Sequence, residues 1–396
     1  MATQNKIRIF KREAKKGITY SYSLEAGRNP KTGKRQRVTK SGFKTQKEAR
    51  AAAQVILNKM LLGQNIVESH ILFNEYADEW YVQYSKHLKK TSLPTLKANL
   101  NTAKKYLGYK KLKSITPYDY QEFINDFSVG RTKRSVERVH VVIKSMFKSA
   151  ILYNLITTNP AEKVIFPKFE YKKIDIESLY LSKEELQAFL DYASTYKGYG
   201  SDYFYTMCMV LAYTGIRLGE ACSLLWENID FKNKFISIES SMYGKNYNDY
   251  ERQSTPKNLS SIRKIIIGDK LVCQLKAWKH EQLRLRVLHG TQDRRDKLNF
   301  VFTRYLKSQN IEKPVLQSVF QMALLKINKK HLFKKNIHAH LFRHTHASLL
   351  AEAGVNLEAI QERLGHHSDK TTKQIYLHIT KKVKTIAANK FENYMR

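Results

Sequence analysis

Acidic residues are scarce in this chain of 396 residues, which contains 35 Asp and Glu against 70 Lys and Arg. The formal charge of +35 repels itself within the fold unless a polyanion neutralises it. Such a surplus also gives fast, salt-sensitive association with nucleic acids, so we expect a nucleic-acid partner. A membrane surface is a less suitable partner, because no compact amphipathic anchor stands out in the sequence.

Cysteine is also rare, with three residues, Cys208, Cys222 and Cys273, and no CxxC spacing. Their odd number and apolar neighbours predict reduced, buried thiols in a cytoplasmic protein. No run approaches 18 apolar residues, and the N-terminus lacks the apolar core of a signal peptide. We therefore expect a soluble, cytoplasmic protein without a membrane partner.

The remaining composition, 42% hydrophobic and 27% charged, is globular, and the chain is long enough for two or three domains. The patterns along it predict a multidomain, mainly α-helical fold with small β parts. Residues 1–63 hold 16 Lys and Arg against three Glu. Three short strands are predicted there, at 7–10, 18–24 and 34–40, with a turn at 29–33. A helix follows from Thr45 to about Leu62, because Glu48 completes a capping box with Thr45.

Residues 70–168 show apolar residues at helical spacing, for example Tyr76, Trp80 and Tyr84 at every fourth position. Four or five helices are predicted, one of them introduced by Thr116-Pro117, and they would form a compact bundle. This part of the chain is therefore expected to be a helical domain.

The third region, residues 178–396, begins with a second capping box at Ser182 and Glu185. Helix is predicted for most of it, interrupted by a sheet-like part from 235 to 267. After Tyr376, apolar residues from Val383 to Tyr394 recur at helical spacing and predict a short amphipathic helix.

The residues that suggest chemistry are concentrated in this third region. They lie in the segments TGIRLGE (214–220), HLFRH (340–344) and LGH (364–366), and at Tyr376. Attack of a hydroxyl on a phosphodiester creates a dianionic transition state, and arginine can neutralise it through paired hydrogen bonds without losing its proton. Histidine titrates near neutrality and can move protons. In so basic a chain, the combination indicates attack on a nucleic-acid phosphate.

Each residue alone has a simpler interpretation. Arg217 could form an ordinary i, i+3 ion pair with Glu220, and the chain contains 24 tyrosines. A zinc site could be built from the histidines at 338, 340, 344 and 346. No HExxH glutamate accompanies them, so we predict neither a metal nor another cofactor.

Taken together, the order and spacing of these segments resemble the tyrosine recombinase family, in its phage and conjugative-transposon integrase branch. The two arginine boxes match 214–220 and 340–344, and the family's context for its nucleophile matches Thr371 to Tyr376. The family's catalytic lysine lies in a β-hairpin between the two boxes, and the segment 254–265 points to Lys257. The resemblance covers the whole chain.

The resemblance implies an order of domains and a set of roles. Residues 1–63 would be an arm-type DNA-binding domain of three strands and a helix, 70–168 a helical core-binding domain, and 178–396 a mixed α/β catalytic domain with a C-terminal tail. Tyr376 would attack to form a 3′-phosphotyrosyl link, and Lys257 would protonate the leaving 5′ oxygen. The catalytic set implied is Arg217, Lys257, His340, Arg343, His366 and Tyr376.

The same resemblance implies the partners. Double-stranded DNA with core and arm attachment sites would be the substrate, a homotetramer would carry out strand exchange, and an excisionase and a host DNA-bending protein would be further partners. The C-terminal helix would dock on a neighbouring protomer. Two alternatives stay open on the sequence, a type IB topoisomerase that relaxes DNA and a non-catalytic DNA-binding regulator.

Overall fold

The computed structural model describes residues 7–14, 17–28, 35–61, 71–170, 175–198, 200–244, 246–253, 262–365 and 370–395. The chain divides into two compact units, Met1–Tyr171 and Lys172–Arg396, and each is described by itself. The mainly α-helical, multidomain fold with small sheets agrees with the prediction from the sequence. In the described part of the chain, no helix is both long and apolar enough to cross a bilayer.

The first unit opens with an antiparallel sheet in the order β1-β2-β3, followed by one helix. The elements are β1 (Arg8–Ala14), β2 (Gly17–Arg28), β3 (Arg35–Phe43) and α1 (Gln46–Leu61). Tyr22, Leu24 and Ala53 are buried between sheet and helix. The predicted turn at 29–33 lies outside the described residues. The three predicted strands and the helix after Thr45 are confirmed, and the Glu48 amide donates to the Thr45 hydroxyl over 3.2 Å.

The rest of the first unit is the predicted helical bundle. Its helices are α2 (Phe73–Tyr84), α3 (Leu93–Leu107), α4 (Pro117–Ser128) and α5 (Lys133–Leu152). Tyr76 and Trp80 are buried on the inner face of α2, as the four-residue spacing predicts. Thr116 caps α4, with Pro117 at the first helical position and Asp119 closing a reciprocal box.

The second unit is built on helices with short strands between them. Its helices are α6 (Lys183–Ser194), α7 (Ser201–Thr214), α8 (Leu218–Cys222), α9 (Asp269–His289), α10 (Gln317–Asn328), α11 (Ala339–Glu352), α12 (Leu357–Leu364) and α13 (Lys370–Met395). Ser182 caps α6 and Glu185 returns the bond, so the capping box predicted there is confirmed. The short helix predicted after Tyr376 is the later part of α13, which is continuous from Lys370. The side chains at 383, 386, 387, 391 and 394 lie outside the described ones.

Among the described residues of the second unit, the strands form three small antiparallel sheets. They are β4 (Ile229–Asp230), β5 (Phe235–Ile238), β6 (Ser241–Tyr243), β7 (Glu251–Gln253), β8 (Arg263–Ile266), β9 (Thr303–Leu306) and β10 (Ile311–Pro314). The first sheet has the order β4-β5-β8, and Arg263 of β8 pairs with Ile238 of β5. The β9–β10 hairpin corrects the prediction that the sheet-like part ends at 267. Lys307–Gln309 forms a tight 3-10 turn between two four-residue strands, too short to leave a clear alternation.

The core of the second unit explains the long apolar stretch around Cys208. Helix α7 is buried on nearly all sides, from Phe204 to Ala212, and it packs against α6, α9 and α11. Cys208 and Cys222 are buried in this core, and burial raises the pKa of both thiols. Cys273 is exposed, which corrects the prediction that all three thiols are buried. It lies on the side of α9 opposite the buried Leu271.

Candidate active site

Arg217 presents its guanidinium to the surface of the second unit. It is the N-cap of α8, in extended conformation, directly after Gly215-Ile216 ends α7. Its amide donates to Glu220 Oε2 over 2.9 Å, and its Nη1 donates to Glu220 Oε1 over 2.6 Å. The side chain is 34% exposed. One edge of the guanidinium is thus held by protein while the group remains accessible to an anion.

Glu220 is the carboxylate that holds Arg217, and it is itself buried. Arg263 donates to it from the other side, with Nη2 at 2.9 Å from Oε2 and Nη1 at 3.4 Å from Oε1. Burial alone would raise the pKa of Glu220, but the charges and hydrogen bonds of Arg263 and Arg217 hold that pKa below its ordinary value. Glu220 is therefore ionised at neutral pH. The i, i+3 ion pair foreseen from the sequence is real, and it supports Arg217.

Arg343 lies on α11 and is 1% exposed. Its Nη1 donates to the carbonyl of Gly215 over 2.7 Å, and its Nη2 donates to the carbonyl of Leu364, also over 2.7 Å. These carbonyls stand at the C-terminal ends of α7 and α12, which carry partial negative charge. Arg343 therefore joins the segments before Arg217 and before His366.

Three consecutive carbonyls at the end of α12 accept hydrogen bonds from arginines. Arg363 O accepts from Arg263 Nε at 2.8 Å, Leu364 O from Arg343 Nη2, and Gly365 O from Arg217 Nη2 at 3.5 Å. Unpaired carbonyls at a helix end need such donors, and the helix dipole favours cations there. We call these three arginines and the turn 363–365 the arginine cluster. Residues 217, 263 and 343, distant in sequence, thus meet at one point.

His340 lies near the start of α11 and is exposed. Its ring stands edge-to-face against His344, with ring centroids 4.9 Å apart. His340, His338 and Arg217 line one cleft of about 580 Å³, together with residues of α10 such as Gln321. The structure thus brings His340 and Arg217 to the same opening. His344 is buried.

His346 has both ring nitrogens engaged within the protein. Nδ1 lies 2.9 Å from the carbonyl of Ala212, and Nε2 lies 3.0 Å from Nε of Arg363. A guanidinium can only donate, so Nε2 accepts and Nδ1 carries the proton. Burial, reinforced by the Arg363 charge, lowers the pKa of His346 to about 4. His346 therefore has no nitrogen left for a metal, which argues against the zinc site considered above.

Tyr376 lies on α13, the helix that packs against α11. It is half-buried, and it contacts a cluster of apolar residues that includes Ile375, Leu364 and Tyr180. The carbonyl of Tyr376 accepts a hydrogen bond from the Thr380 hydroxyl over 2.9 Å. Leu364 belongs both to this cluster and to the arginine cluster, so the tyrosine helix and the arginines share one supporting residue.

Two of the six predicted site residues, Lys257 and His366, lie outside the described residues. Arg217, His340, Arg343 and Tyr376 are all placed within the second unit. Arg263 and Arg363 were not singled out from the sequence, although Arg263 is a member of the arginine cluster and Arg363 supplies one of its carbonyls. Their signal was weak, since an arginine in a chain with 70 Lys and Arg gives no indication of burial. Glu220 pairs with Arg217 and Arg263, and the buried Arg343 adds a third cation to the same cluster, so positive charge is in surplus there, which suits an anionic ligand.

Comparison with known sequences identifies the class to which this fold and site belong. The sequence profile of the phage integrase family matches residues 179–382. Profiles of an arm DNA-binding domain and of the phage integrase N-terminal SAM-like domain match 9–60 and 72–128. The chain belongs to the phage integrase family. It is a tyrosine site-specific recombinase, an integrase of a mobile genetic element, and this decides against the topoisomerase and regulator alternatives.

Individual relatives support the same assignment. The probable integrase of prophage ps2 from Lactococcus lactis subsp. lactis is 29% identical over 381 residues, covering 92% of this chain and 95% of that protein. The Tn1549 transposon integrase, solved with a circular intermediate DNA, is similar with a TM-score of 0.60 and 20% identity, over 77% of this chain and 95% of that one. A lambda integrase tetramer bound to a Holliday junction is similar with a TM-score of 0.53 and 16% identity, over 93% of this chain and 94% of that one. At these identities the two solved structures show a common fold.

Proposed function

We propose that this integrase cleaves and rejoins double-stranded DNA through a covalent link between Tyr376 and the 3′ phosphate. The observation that carries the proposal is the convergence of Arg217 and Arg343 on the end of α12, beside the helix that bears Tyr376. The Tyr376 oxygen attacks phosphorus, the bond to the 5′ oxygen breaks, and that oxygen leaves with a proton. The new ester preserves the free energy of the phosphodiester, so rejoining needs no ATP.

The roles of the site residues follow from their chemistry. Arg217 presents an accessible guanidinium and neutralises the non-bridging oxygens. His340, at the same cleft, assists proton transfer. Arg343, bonded to the carbonyls of Gly215 and Leu364 in the same cluster, contributes its positive charge to holding the phosphate. Each pre-aimed donor in such a site contributes roughly 3–4 kcal/mol.

Lys257 and His366 complete the proposed site. Lys257 protonates the leaving 5′ oxygen, and His366 donates a hydrogen bond to the scissile phosphate. Both assignments rest on their position in the sequence. The segment that contains Lys257 runs into β8 at Arg263, and His366 directly follows the Gly365 carbonyl that accepts from Arg217. The contacts at both neighbours support placing these two residues at the same phosphate.

We further propose a division of labour along the chain. The basic sheet-and-helix part, 1–63, binds arm sites, while the bundle at 70–168 and the catalytic domain at 178–396 bind the core site. Support comes from the family profiles in this order and from lambda and Tn1549 integrases solved on DNA. The lambda tetramer on a Holliday junction supports a homotetramer here, with α13 docking on a neighbour. An excisionase and a host DNA-bending protein are proposed as accessory partners.

A suicide substrate that traps the covalent adduct tests the proposal. Attachment-site DNA with a nick close to the scissile phosphate loses a short fragment after cleavage, so the adduct accumulates. Wild-type protein should form the adduct, and Tyr376→Phe should form none while it binds the same DNA with unchanged affinity. Tyr192→Phe, which alters a tyrosine elsewhere in the same unit, serves as the matched control. Adduct formation by Tyr376→Phe would show that another residue is the nucleophile.

A further inference from the structure

Arg263 is a buried arginine without a role in the chemistry described so far. It opens β8, and in sequence it follows the segment 254–261 that contains Lys257. Its side chain is 7% exposed, so it cannot present a cation to DNA as Arg217 does. A guanidinium enclosed to this extent must have its donors bonded within the protein.

The first set of bonds runs to Glu220. Nη1 and Nη2 of Arg263 face the two carboxylate oxygens, at 3.4 and 2.9 Å. The same oxygens accept the side chain and the amide of Arg217. Because the paired donors of Arg263 fix the plane of the carboxylate, they also fix the direction in which Glu220 holds Arg217. A lysine would supply one point charge and would leave that plane free to rotate.

The second bond runs to the turn that leads to His366. Nε of Arg263 donates to the carbonyl of Arg363 over 2.8 Å. A Cβ placed on Gly365 would lie 3.1 Å from Nη1 of Arg263, so the backbone of the turn lies directly against the guanidinium. The side chain of Arg263 therefore contacts both Glu220, which holds Arg217, and the turn before His366. Its backbone begins β8, the strand that follows the segment with Lys257.

We propose that Arg263 is a positioning residue for strand cleavage: it aims Arg217 through Glu220 and fixes the turn before His366, without touching DNA. The inference rests on the proposed function, because it assigns Arg263 to the same phosphate site. It predicts that Arg263 affects how well the enzyme stabilises negative charge on the scissile phosphate. A residue needed only for folding would slow every substrate alike.

The test compares two scissile linkages, a normal phosphodiester and a methylphosphonate, in which a methyl group replaces one non-bridging oxygen. The methylphosphonate carries no negative charge, so an enzyme with a misaimed Arg217 loses less rate on it. Arg263→Lys should cleave the phosphodiester on the order of 10- to 100-fold more slowly than wild type, a smaller loss than that of a deleted donor. Its loss on the methylphosphonate should be several-fold smaller.

Arg286→Lys is the matched control. Arg286 forms a buried pair with Glu312 in the same unit, with Nε 2.7 Å from Oε2 and both side chains less than 10% exposed. It has no contact with the arginine cluster among the hydrogen bonds of the described residues. This variant should be destabilised to a similar degree in urea titration, while the ratio of its rates on the two linkages stays at the wild-type value.

Several outcomes would overturn the inference. Equal slowing on both linkages would make Arg263 a folding residue, and phosphodiester cleavage within twofold of wild type would remove its role. If Arg263→Lys does not fold, Glu220→Asp keeps the charge but moves it away from Arg217, and it must show the same change in ratio. If the wild-type chain forms no adduct, both the proposed function and this inference are overturned. If it does form the adduct, the proposed function stands and the variants test the role of Arg263 alone.

Discussion

A buried arginine needs several acceptors, and Arg343 takes them from the ends of helices. Moving a guanidinium out of water costs several kcal/mol unless its donors are bonded. The carbonyls of Gly215 and Leu364 supply these bonds, and the partial negative charge at the ends of α7 and α12 favours the cation. The charge is thereby kept inside the protein, and it holds two distant segments together.

His346 allows a prediction about pH at the scale of one residue. Its pKa of about 4 in the folded protein lies below the ordinary histidine value of about 6.5, so the unfolded chain binds the proton more tightly. Its stabilising contribution is complete above about pH 6.5 and is lost as the pH falls towards 4. The loss is about 3 kcal/mol, at about 1.4 kcal/mol for each pH unit between the two pKa values.

His346→Gln is the variant that checks this dependence. Glutamine is neutral at every pH and can still donate to Ala212 O and accept from Arg363, the two bonds of the histidine. Urea unfolding at pH 7, 5.5 and 4 should show a smaller fall in the free energy of unfolding for the variant than for wild type. Parallel pH curves for the two proteins would mean that the pKa of His346 is the same in the folded and the unfolded chain.

Site residues differed in how far the sequence could identify them. Arg217 and His340 were singled out by their segments, and the structure places both at one cleft. Their catalytic roles stay predictions, as do those of Lys257 and His366. Arg263 was missed because its importance lies in its contacts with Glu220 and the α12 turn, 43 and 100 residues away, and no local pattern encodes such contacts.

At the scale of elements, the signals that worked were local. The capping box at Ser182 and the helix start at Thr116-Pro117 were confirmed, because a cap depends on four consecutive residues. The β9–β10 hairpin was missed, since each strand has four residues and is stabilised by pairing with the other. The extent of α13 was also missed, because a helix that continues through Tyr376 gives no stop signal to read.

Helix α7 ends at Gly215, and this end gives a prediction for the element. Gly215 has φ +66°, and an added Cβ would lie 2.6 Å from Cδ2 of Leu364 and 2.7 Å from Cδ2 of His346. Gly215→Ala should therefore lose roughly 1–2 kcal/mol of stability, because alanine disfavours the left-handed conformation. It should lose more because its Cβ must displace buried neighbours. Because the Gly215 carbonyl accepts from Arg343, adduct formation should also slow.

Gly290→Ala provides the comparison for that variant. Gly290 ends α9 with φ +60°, and an added Cβ would meet nothing within 4 Å. Gly290→Ala should lose only the stability that the left-handed conformation costs, and it should form the adduct at the wild-type rate. Urea titration and the suicide-substrate assay measure the two effects. Equal loss of stability in both variants would show that the contacts with Leu364 and His346 yield easily.

For the whole molecule, the surplus of charge leads to a prediction about salt. Each phosphate neutralised by a cationic side chain releases counterions, so the logarithm of the association constant falls with the logarithm of salt at about −0.9 per phosphate. About ten phosphate contacts by this chain of charge +35 would give a slope of about −9. Fluorescence anisotropy with a duplex attachment site between 0.1 and 0.4 M salt measures it.

The control for this titration is Tyr376→Phe, which keeps the charge and should give the same slope as wild type. A slope shallower than about −3 would mean that few of the cationic groups face DNA phosphates. In that case most of the positive charge would not contact DNA, and the arm and core sites would be bound through fewer phosphates than proposed.

The sequence by itself determined the charge, the order of the three regions, the capped helices and the segments that define the family, because these depend on composition or on neighbours in the chain. Tertiary structure alone decided that Arg217, Arg263 and Arg343 meet at the end of α12, and that His346 stays neutral. The physical reason is the same for each. Burial and hydrogen bonding between residues some 20 to 150 positions apart arise only when the chain has folded.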